Sequence, residues 1–536
     1  MITPKFKIHS TSPIYVQLYD FIKKEIFSGK IKAGEKLPSK RALSSHLGIA
    51  ISTCTAAYEN LIDEGYIVSK ERSGYFVEDI TLFKITEHQN MKNNKKENHK
   101  NMESDNNSEH IDKTKNNNKI KPALLADLSY KKNFIYDLSY NMVDFKNFPY
   151  GIFKKLSREM FDSENYNSLS ICDKRGTFEL RTSIATYLSE NRGFECSAEN
   201  IIIGSGMEYL FQILFELLED NPIFGIENPG YEKWSILFKN NKIKFFNIPI
   251  TDSGMSIDSL KKTDSNIACI TPSHQFPTGV VMPISERLKI LSWANSQKTR
   301  YIVEDDYDSE FKYYGKPIPS LKSLDEHDKV IYIGNFSKSI APSLRVSYML
   351  LPDSLLASYL SIPHMICPVP TFIQQILTDF ISQGYFEKHL NRSRNLYRKK
   401  RILLTELFEK NLPFCEISGS QAGLHFILKT GLDIDAEKAV VEKAISCGIK
   451  ISHVSSYYML QPSCSVPDGI IMGFGGIDIS VIIKKFLAGN VCLRNEGAGT
   501  VDGKAVRKRS HFIPVGKAAV FFEHLGAGCE KASAKK

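Results

Sequence analysis

The chain has 536 residues, 42% of them hydrophobic and 24% charged, with a formal net charge of +9. At about 100–200 residues per domain, this length predicts two or three domains with proper cores and excludes a wholly disordered chain. No run of about 18 uncharged apolar residues occurs, so no membrane-spanning helix is predicted, and Met1–Ser10 has no apolar core of a secretory signal behind it. The ten cysteines are scattered without a Cys-x-x-Cys pair. Neither a metal site nor a disulfide framework is therefore expected, and a reducing cytoplasm fits best. Residues 1–80 hold 11 basic and 9 acidic side chains, a net +2, whereas residues 487–536 hold 9 and 4, a net +5. Bulk charge of this kind does not make a nucleic-acid binder; motifs must decide that.

Residues 1–80 are predicted to form one compact module. Tyr15, Leu18, Phe21, Ile22 and Ile26 recur at helical spacing. Ala33–Pro38 reads as a turn. Ser39 is placed to cap a helix that runs through Leu47 and stops at Gly48. Ser52 or Thr53 is placed to cap the next, which carries Tyr58, Leu61 and Ile62 inward and stops at Gly65. Tyr66–Val68 and Tyr75–Val77 flank Lys70-Glu71-Arg72-Ser73-Gly74, the pattern of a β-hairpin with a basic tip.

Three helices and a hairpin make a winged helix-turn-helix plan, whose partner is double-stranded DNA. Ser39, Lys40 and Arg41 put a hydroxyl and two cations at a helix N-terminus, a phosphate clamp. Ser52, Thr53 and Thr55 are small hydrogen-bonding groups at the start of the reading helix, and Lys70 and Arg72 arm the wing. The alternative is a protein-binding winged helix, against which stands the placing of Lys and Arg at the groove-facing ends.

The strings Pro13-Ile14-Tyr15-Val16-Gln17-Leu18 and Gly29 to Arg41 resemble the GntR family of winged-helix repressors. So do Ala57-Tyr58-Glu59-Asn60-Leu61, Glu64-Gly65-Tyr66 and Gly74-Tyr75-Phe76-Val77. The family often carries Arg just before the Thr of the reading helix and again further on; here Ile51 and Thr55 stand there.

Within residues 81–123, the stretch between Phe83 and Leu124 contains no Leu, Val or aromatic residue, and Asn and Lys dominate. Such a segment cannot bury enough apolar area to offset its ordering entropy, so a flexible linker is expected rather than an ordered polar loop. Residues 489–536, rich in Gly, Ala and Lys, form a basic C-terminal extension to which no role is assigned.

Residues 124–488 alternate helical stretches with short apolar runs. Ile201–Ile203, Ile223–Ile226, Ile267–Ile270, Tyr301–Val303 and Val330–Ile333 read as buried parallel strands of an α/β sheet, whose ligands sit at the carboxyl ends of the strands. Polar motifs fall at those ends. Lys338 follows the strand Val330–Ile333 and Arg345 comes seven residues later. A lysine there can form a Schiff base with an aldehyde, and a guanidinium matches a phosphate. Asp305, after Tyr301–Val303, can pair with a pyridine nitrogen, and Tyr307, two residues on, faces the same way. Ile203-Gly204-Ser205-Gly206-Met207-Glu208 turns into a helix whose N–H groups can hold a phosphate. Glu227-Asn228-Pro229-Gly230-Tyr231 presents a ring that can stack on a flat cofactor, and Thr271–Gly279 is a loop after a further strand.

Together these motifs resemble fold-type I aminotransferases. With the module in front, residues from about 11 to 485 are similar to the MocR/GabR family of transcriptional regulators, which bind pyridoxal 5'-phosphate. The resemblance rests most on Thr271–Gly279, Glu304–Phe311 and Ser337–Arg345. The fold class it implies is α/β, a winged helix-turn-helix followed by a fold-type I aminotransferase-like domain. It makes Lys338 the Schiff-base lysine, Asp305 the pyridinium partner, Tyr307 the donor to the ring's 3-oxygen and Tyr231 the stacking ring. Arg345 and the backbone of Gly206, Met207 and Glu208 would hold the phosphate, with Asn335 and Ser337 beside the lysine. It also implies a head-to-tail homodimer, and an amine, an amino acid or pyridoxal phosphate itself as effector. Three departures bear on function. Phe276 replaces the Asn of aminotransferases, Asn335 replaces a phosphate-side hydroxyl, and Ile471 aligns with an Arg that anchors an amino-acid carboxylate, for which Lys233 is the substitute at hand. A regulator sensing through an aldimine on Lys338 is the expected function. A working aminotransferase with an accessory DNA-binding module, and a cofactor-free scaffold, are the alternatives.

Overall fold

The computed structural model of the chain describes residue 4 and residues 13–28, 30–63, 66–70, 73–77, 134–162, 169–218, 221–313, 319–459 and 469–478. The linker 81–123, the extension 489–536 and Arg72 lie outside them.

The N-terminal module runs α1 (Ile14–Phe27), β1 (Lys36–Leu37), α2 (Lys40–Leu47), α3 (Ile51–Asp63), β2 (Ile67–Lys70) and β3 (Gly74–Val77). The Ser39 hydroxyl accepts the Ala42 N–H at 3.1 Å and opens α2; Gly48, at φ +64°, ends it. Two local expectations change. Helix α3 begins at Ile51, so Ser52 and Thr53 lie inside its first turn and cap nothing; the Thr53 and Cys54 N–H groups reach the Ala50 carbonyl at 3.0 and 3.3 Å. The turn is completed earlier, at Gly48–Ala50, where the Ser44 hydroxyl donates to the Ile49 carbonyl at 2.6 Å. The stretch Ala33–Pro38 is only partly turn. Gly34, at φ +74°, reverses the chain, and Lys36 and Leu37 then pair antiparallel with Phe76 and Tyr75 of β3, the central strand of a three-stranded sheet. Leu18, Ile22, Leu43, Tyr58, Leu61 and Tyr66 fill the core of this module. Ile284 joins that cluster, and Leu288 and Leu324 pack against it, so a face of the large unit shares the module's apolar core.

The large unit opens with β4 (Tyr136–Asp137). An eight-stranded sheet follows, from β5 (Ile201–Gly204), β6 (Ile223–Asn228), β7 (Lys244–Thr251), β8 (Gly254–Met255), β9 (Ile267–Ile270), β10 (Tyr301–Asp306), β11 (Val330–Asn335) and β12 (Ser347–Leu350). Its order is β5-β12-β11-β10-β9-β6-β7-β8. The run β11 to β7 is parallel, while β12 is antiparallel to both neighbours and β8 to β7. The five apolar runs expected as strands are all present. β5 points the same way as the parallel set, yet it pairs with β12 and with no strand of that set.

Both faces of the sheet are covered, as its continuous Ile/Val runs require. On one, Leu210, Phe211, Trp234 and Phe238 pack on Phe224 and Ile226; on the other, Ile290, Leu291 and Trp293 pack on Ala268, Ile270 and Ile302. A smaller C-terminal unit holds β13 (Glu416–Ser418), β14 (His425–Lys429), β15 (Ile449–Lys450), β16 (Ser452–His453) and β17 (Ile470–Gly473). Four of them form a sheet of order β13-β14-β17-β16, and β15 pairs with β4. The loops after β5, β6, β9, β10 and β11 converge with this unit, and the site lies there.

Phe211 is fully buried, with the rings of Phe215, Phe224, Trp234 and Phe238 at centroid distances of 5.5–6.4 Å. Phe211→Ala is expected to cost about 3–5 kcal/mol, read as a lower urea midpoint of the large unit.

Candidate functional site

The acidic run after β10 is not solvated. Glu304, Asp305, Asp306 and Asp308 are all under 5% exposed. The two-residue period of a strand sends them to opposite faces. Glu304 accepts the Leu321 and Lys322 N–H groups at 2.7 and 2.8 Å, and burial pushes its carboxyl up to about 7. Asp306 meets the buried Arg192 guanidinium at 2.6 Å and accepts the Tyr332 hydroxyl. Asp305 faces the other way. One of its oxygens, Oδ1, is buried with no hydrogen-bond partner among the described residues, and burial, with Asp306 and Asp308 close by, raises its affinity for a proton well above that of an ordinary carboxyl. Tyr307 shares this face, its hydroxyl 3.2 Å from His274 Nδ1.

Lys338 stands in the turn that leaves β11. The Asn335 side chain accepts the Ser337 N–H at 3.0 Å, an Asx turn that bends the strand end, and the Ile340 N–H returns to the Phe336 carbonyl at 2.9 Å. The half-buried lysine donates to the Tyr140 carbonyl and lies 5.2 Å from the Tyr140 ring centroid. Burial lowers its pKa from 10.5 to about 8, only partly opposed by the charge of Asp308. Aromatic rings close the space around it. Tyr140 is 4.3 Å from Phe276, and Phe276 is 4.9 Å from Tyr457 and 6.2 Å from Tyr231, the last two nearly perpendicular. Tyr231 feels Asp305 as well as burial, and both raise its pKa.

At the far end, β5 runs into Gly206, at φ +122°, and then the helix Met207–Leu217. A Cβ at Gly206 would stand 2.2 Å from Arg345 Nη2, so the guanidinium lies directly over this glycine. Arg345 itself is left-handed, at φ +49°, a conformation costly for a residue with a side chain. Its Nη2 donates to Glu208 Oε2 at 3.0 Å, beside the helix N-terminus where an anion is favoured. Met207 Sδ accepts the Trp234 indole N–H at 2.8 Å, tying this helix to the next.

The position aligned with a carboxylate-binding Arg is an apolar wall. Ile471 is fully buried in β17 with Ile427 and Val454, and Tyr140, Tyr457 and Tyr458 pack on that cluster. Lys233 is 61% exposed and lies 3.9 Å from Glu208 Oε1, on the phosphate side of the site. The sequence reading passed over four contributors, Tyr140, His274, Asp308 and His425. Two of them stood in motifs already singled out, Thr271–Gly279 and Glu304–Phe311.

In the N-terminal module Ser39 and Arg41 are exposed at the start of α2, and Ile51 and Ser52 at the start of α3; Thr53 and Thr55 are half-buried. Lys40 Nζ lies over Tyr75 at 5.5 Å, and Lys70 Nζ over Phe76 at 5.1 Å. Tyr75 and Phe76 are consecutive in β3, so the two cations sit against opposite faces of the hairpin.

Residues 14–77 match the bacterial regulatory proteins of the gntR family, and residues 138–465 match the class I and II aminotransferases. Over 91% of its length the chain is 37% identical to the HTH-type transcriptional regulator YdeL of Bacillus subtilis, covering 99% of that protein. It is 27% identical to the regulatory protein MocR of Rhizobium meliloti, over 91% of this chain and 96% of that one. The chain belongs to the MocR-type transcriptional regulators. Among solved structures the regulator is similar to kynurenine aminotransferase of Pyrococcus horikoshii, with a TM-score of 0.58 and 22% identity over 77% of this chain and 95% of that one. That likeness gives the fold of the large unit, α/β and fold-type I. Pyridoxal 5'-phosphate is the cofactor of this aminotransferase fold. Among the described residues of the regulator no helix is long and apolar enough to cross a membrane.

A buried amine with a pKa of about 8 is neutral at pH values where surface lysines are charged. Adduct formation on Lys338 with an amine-reactive aldehyde, trapped with borohydride and located by peptide mapping, is expected to rise with a midpoint near pH 8 while surface lysines react only at higher pH.

Proposed function

We propose that this regulator senses pyridoxal 5'-phosphate, or an amine or amino acid that reacts with it, at Lys338, and that its grip on DNA follows the state of that pocket. The observation that carries the reading is the presence, in one site, of a half-buried lysine whose pKa is lowered to about 8 and a buried carboxylate oxygen that has no partner among the described residues. The cofactor supplies an aldehyde that condenses with an amine and a ring that accepts electrons. The residues present fit it. Asp305 Oδ1 is an acceptor awaiting a donor, as a ring N–H would be. The Arg345 guanidinium, lying against Gly206 at the start of the helix Met207–Leu217, suits a phosphate, because a cationic fork and free helix N–H groups meet there. Tyr231 supplies a stacking face, Tyr307 a hydroxyl for the 3-oxygen, and the Gly206, Met207 and Glu208 backbone the N–H groups of a helix start. Asn335 and Ser337 shape the turn that presents Lys338.

Double-stranded DNA is the second partner. Ser39, Lys40 and Arg41 would clamp phosphate, Ser52, Thr53 and Thr55 would face the major groove, and Lys70 and Arg72 would follow the wing to the flanking backbone. A head-to-tail homodimer would bring two such modules to paired half-sites. Tyr150, Phe161, Leu169, Ile171 and Phe178, each more than half exposed, are apolar surface that a subunit contact would cover. A DNA target implies a cytoplasmic protein. The effector meets Ile471 and the aromatic wall rather than a guanidinium, which favours an amine or the cofactor itself over a simple amino acid. A ligand moves the balance between DNA-binding states only by binding one of them better.

Footprinting on the regulator's own upstream DNA, with and without pyridoxal phosphate, tests the reading. A protected site whose occupancy changes with the cofactor is expected, and in Lys338→Ala the change and the visible absorbance band should both disappear while DNA binding remains. A Lys338→Ala protein that still responds to the cofactor overturns it. Rapid conversion of added amino acids to 2-oxo acids would favour the aminotransferase alternative. Arg41→Ala is expected to weaken binding to all sequences alike and to lower the slope of log affinity against log salt by about 1.

A further inference from the structure

The aromatic pocket contains a second buried polar assembly that none of the roles above uses. His274, in the loop after β9, is 2% exposed and Asp308, two residues beyond β10, is 2% exposed. His274 Nδ1 lies 3.1 and 3.0 Å from the two Asp308 carboxylate oxygens and 3.2 Å from the Tyr307 hydroxyl. His274 Nε2 is buried and has no partner among the described residues. The pair is held from behind by Gly423: a Cβ there would stand 2.2 Å from His274 Cε1 and 2.3 Å from Asp308 Oδ2. That glycine is pinned in turn, its N–H donating to the Phe311 carbonyl at 2.9 Å and its carbonyl accepting the Tyr313 hydroxyl. His425, at the start of β14, packs on His274 at 4.9 Å and keeps its Nε2 on the Pro277 carbonyl at 3.2 Å.

One nitrogen thus stands among three oxygens, and it carries either one proton or one lone pair. An ionised carboxylate only accepts, so Asp308 requires the proton on Nδ1. With Nδ1 protonated, the Tyr307 hydroxyl finds no acceptor on the imidazole and must direct its own proton elsewhere, with its oxygen free to accept from Nδ1–H. The one direction left to it is the pocket. We propose that Asp308 and His274 are positioning residues, which fix the Nδ1–H tautomer and thereby aim the Tyr307 hydroxyl as a donor at the 3-oxygen of bound pyridoxal phosphate. The inference rests on the cofactor reading given above. It is a layer behind the donor, of the kind that sets the orientation of a group by setting the tautomer of its neighbour. Asp308 is also the charge that Lys338 feels most after burial, so the same carboxylate acts on both sides of the cofactor's reactive end. The other titratable groups acting on Lys338 or Tyr307 are Asp305 from β10, His425 from β14, Tyr140 after β4 and Glu227 from β6; the variants below leave all of them in place.

The test compares His274→Asn, whose amide nitrogen falls near Nδ1, with His274→Gln, whose amide falls near Nε2. The readout is the pH midpoint of the visible band of the full-length, cofactor-loaded protein. A donor to the 3-oxygen favours its anionic form and so makes proton loss at the neighbouring amine easier; losing it raises the midpoint. H274Q is expected to raise the midpoint by about one to two pH units, the size of a hydrogen bond to a charged acceptor. Y307F should raise it similarly, and H274N should leave it near the wild-type value. In the Y307F background H274Q should add nothing further, because it acts through Tyr307. An H274Q midpoint equal to wild type, or the same shift with and without Tyr307, overturns the proposal. Should H274Q fail to fold, nitrogen-15 NMR of the cofactor-free protein decides. A protonated Nδ1 on His274, assigned with H274N, is expected; a bare Nδ1, or one held by a metal ion that a chelator removes, overturns it. Absence of any visible band in wild type would instead sink the cofactor reading itself.

Discussion

The site turns on Asp305, whose Oδ1 is buried with no hydrogen-bond partner among the described residues. Burying a polar atom without a partner is unfavourable by roughly 1–3 kcal/mol or more, and Asp305 Oδ1 is such an atom. It is tolerated because the strand that carries it is secured on its other face. Glu304 binds two backbone N–H groups and Asp306 binds Arg192 and Tyr332, all out of water. The strand period assigns alternate acids to scaffold and to pocket, so one short motif both builds the site and supplies its chemistry.

The pocket differs from a general amino-acid site in its walls. Phe276 and Ile471 are both buried and apolar. Around them Tyr140, Tyr231 and Tyr457 make an aromatic enclosure. Such walls favour an uncharged lysine, as the lowered pKa of Lys338 records, and they discriminate little against an apolar or amine ligand.

A continuous buried path joins the pocket to the winged module among the described residues. Ile284, Leu288 and Leu324 share the apolar core of the winged module. Ile284 opens a helix whose Arg287 donates to the Met282 and Pro272 carbonyls at 2.8 and 2.9 Å, in the same loop that carries His274 and Phe276. A change in that loop is therefore one buried guanidinium away from the surface on which the module rests.

Much of this was legible in the order of residues, because local rules govern it. The helices and hairpin of the first eighty residues, the Ser39 cap and Gly48 stop, and the apolar strands followed by polar loops all follow from periodicity and turn chemistry. Lys338, Asp305, Tyr231 and Arg345 stood out because they occupy strand ends and glycine turns. What local pattern does not carry is which distant loops meet. The insertion of β12 between β5 and β11, the approach of Tyr140 to Lys338, and the junction of His274, Asp308 and His425 bring together residues separated by up to about two hundred positions. Such neighbours are chosen by packing of whole layers, in which burial energy is summed over both faces of the sheet. No window of the sequence contains that sum, and only the folded chain decides it.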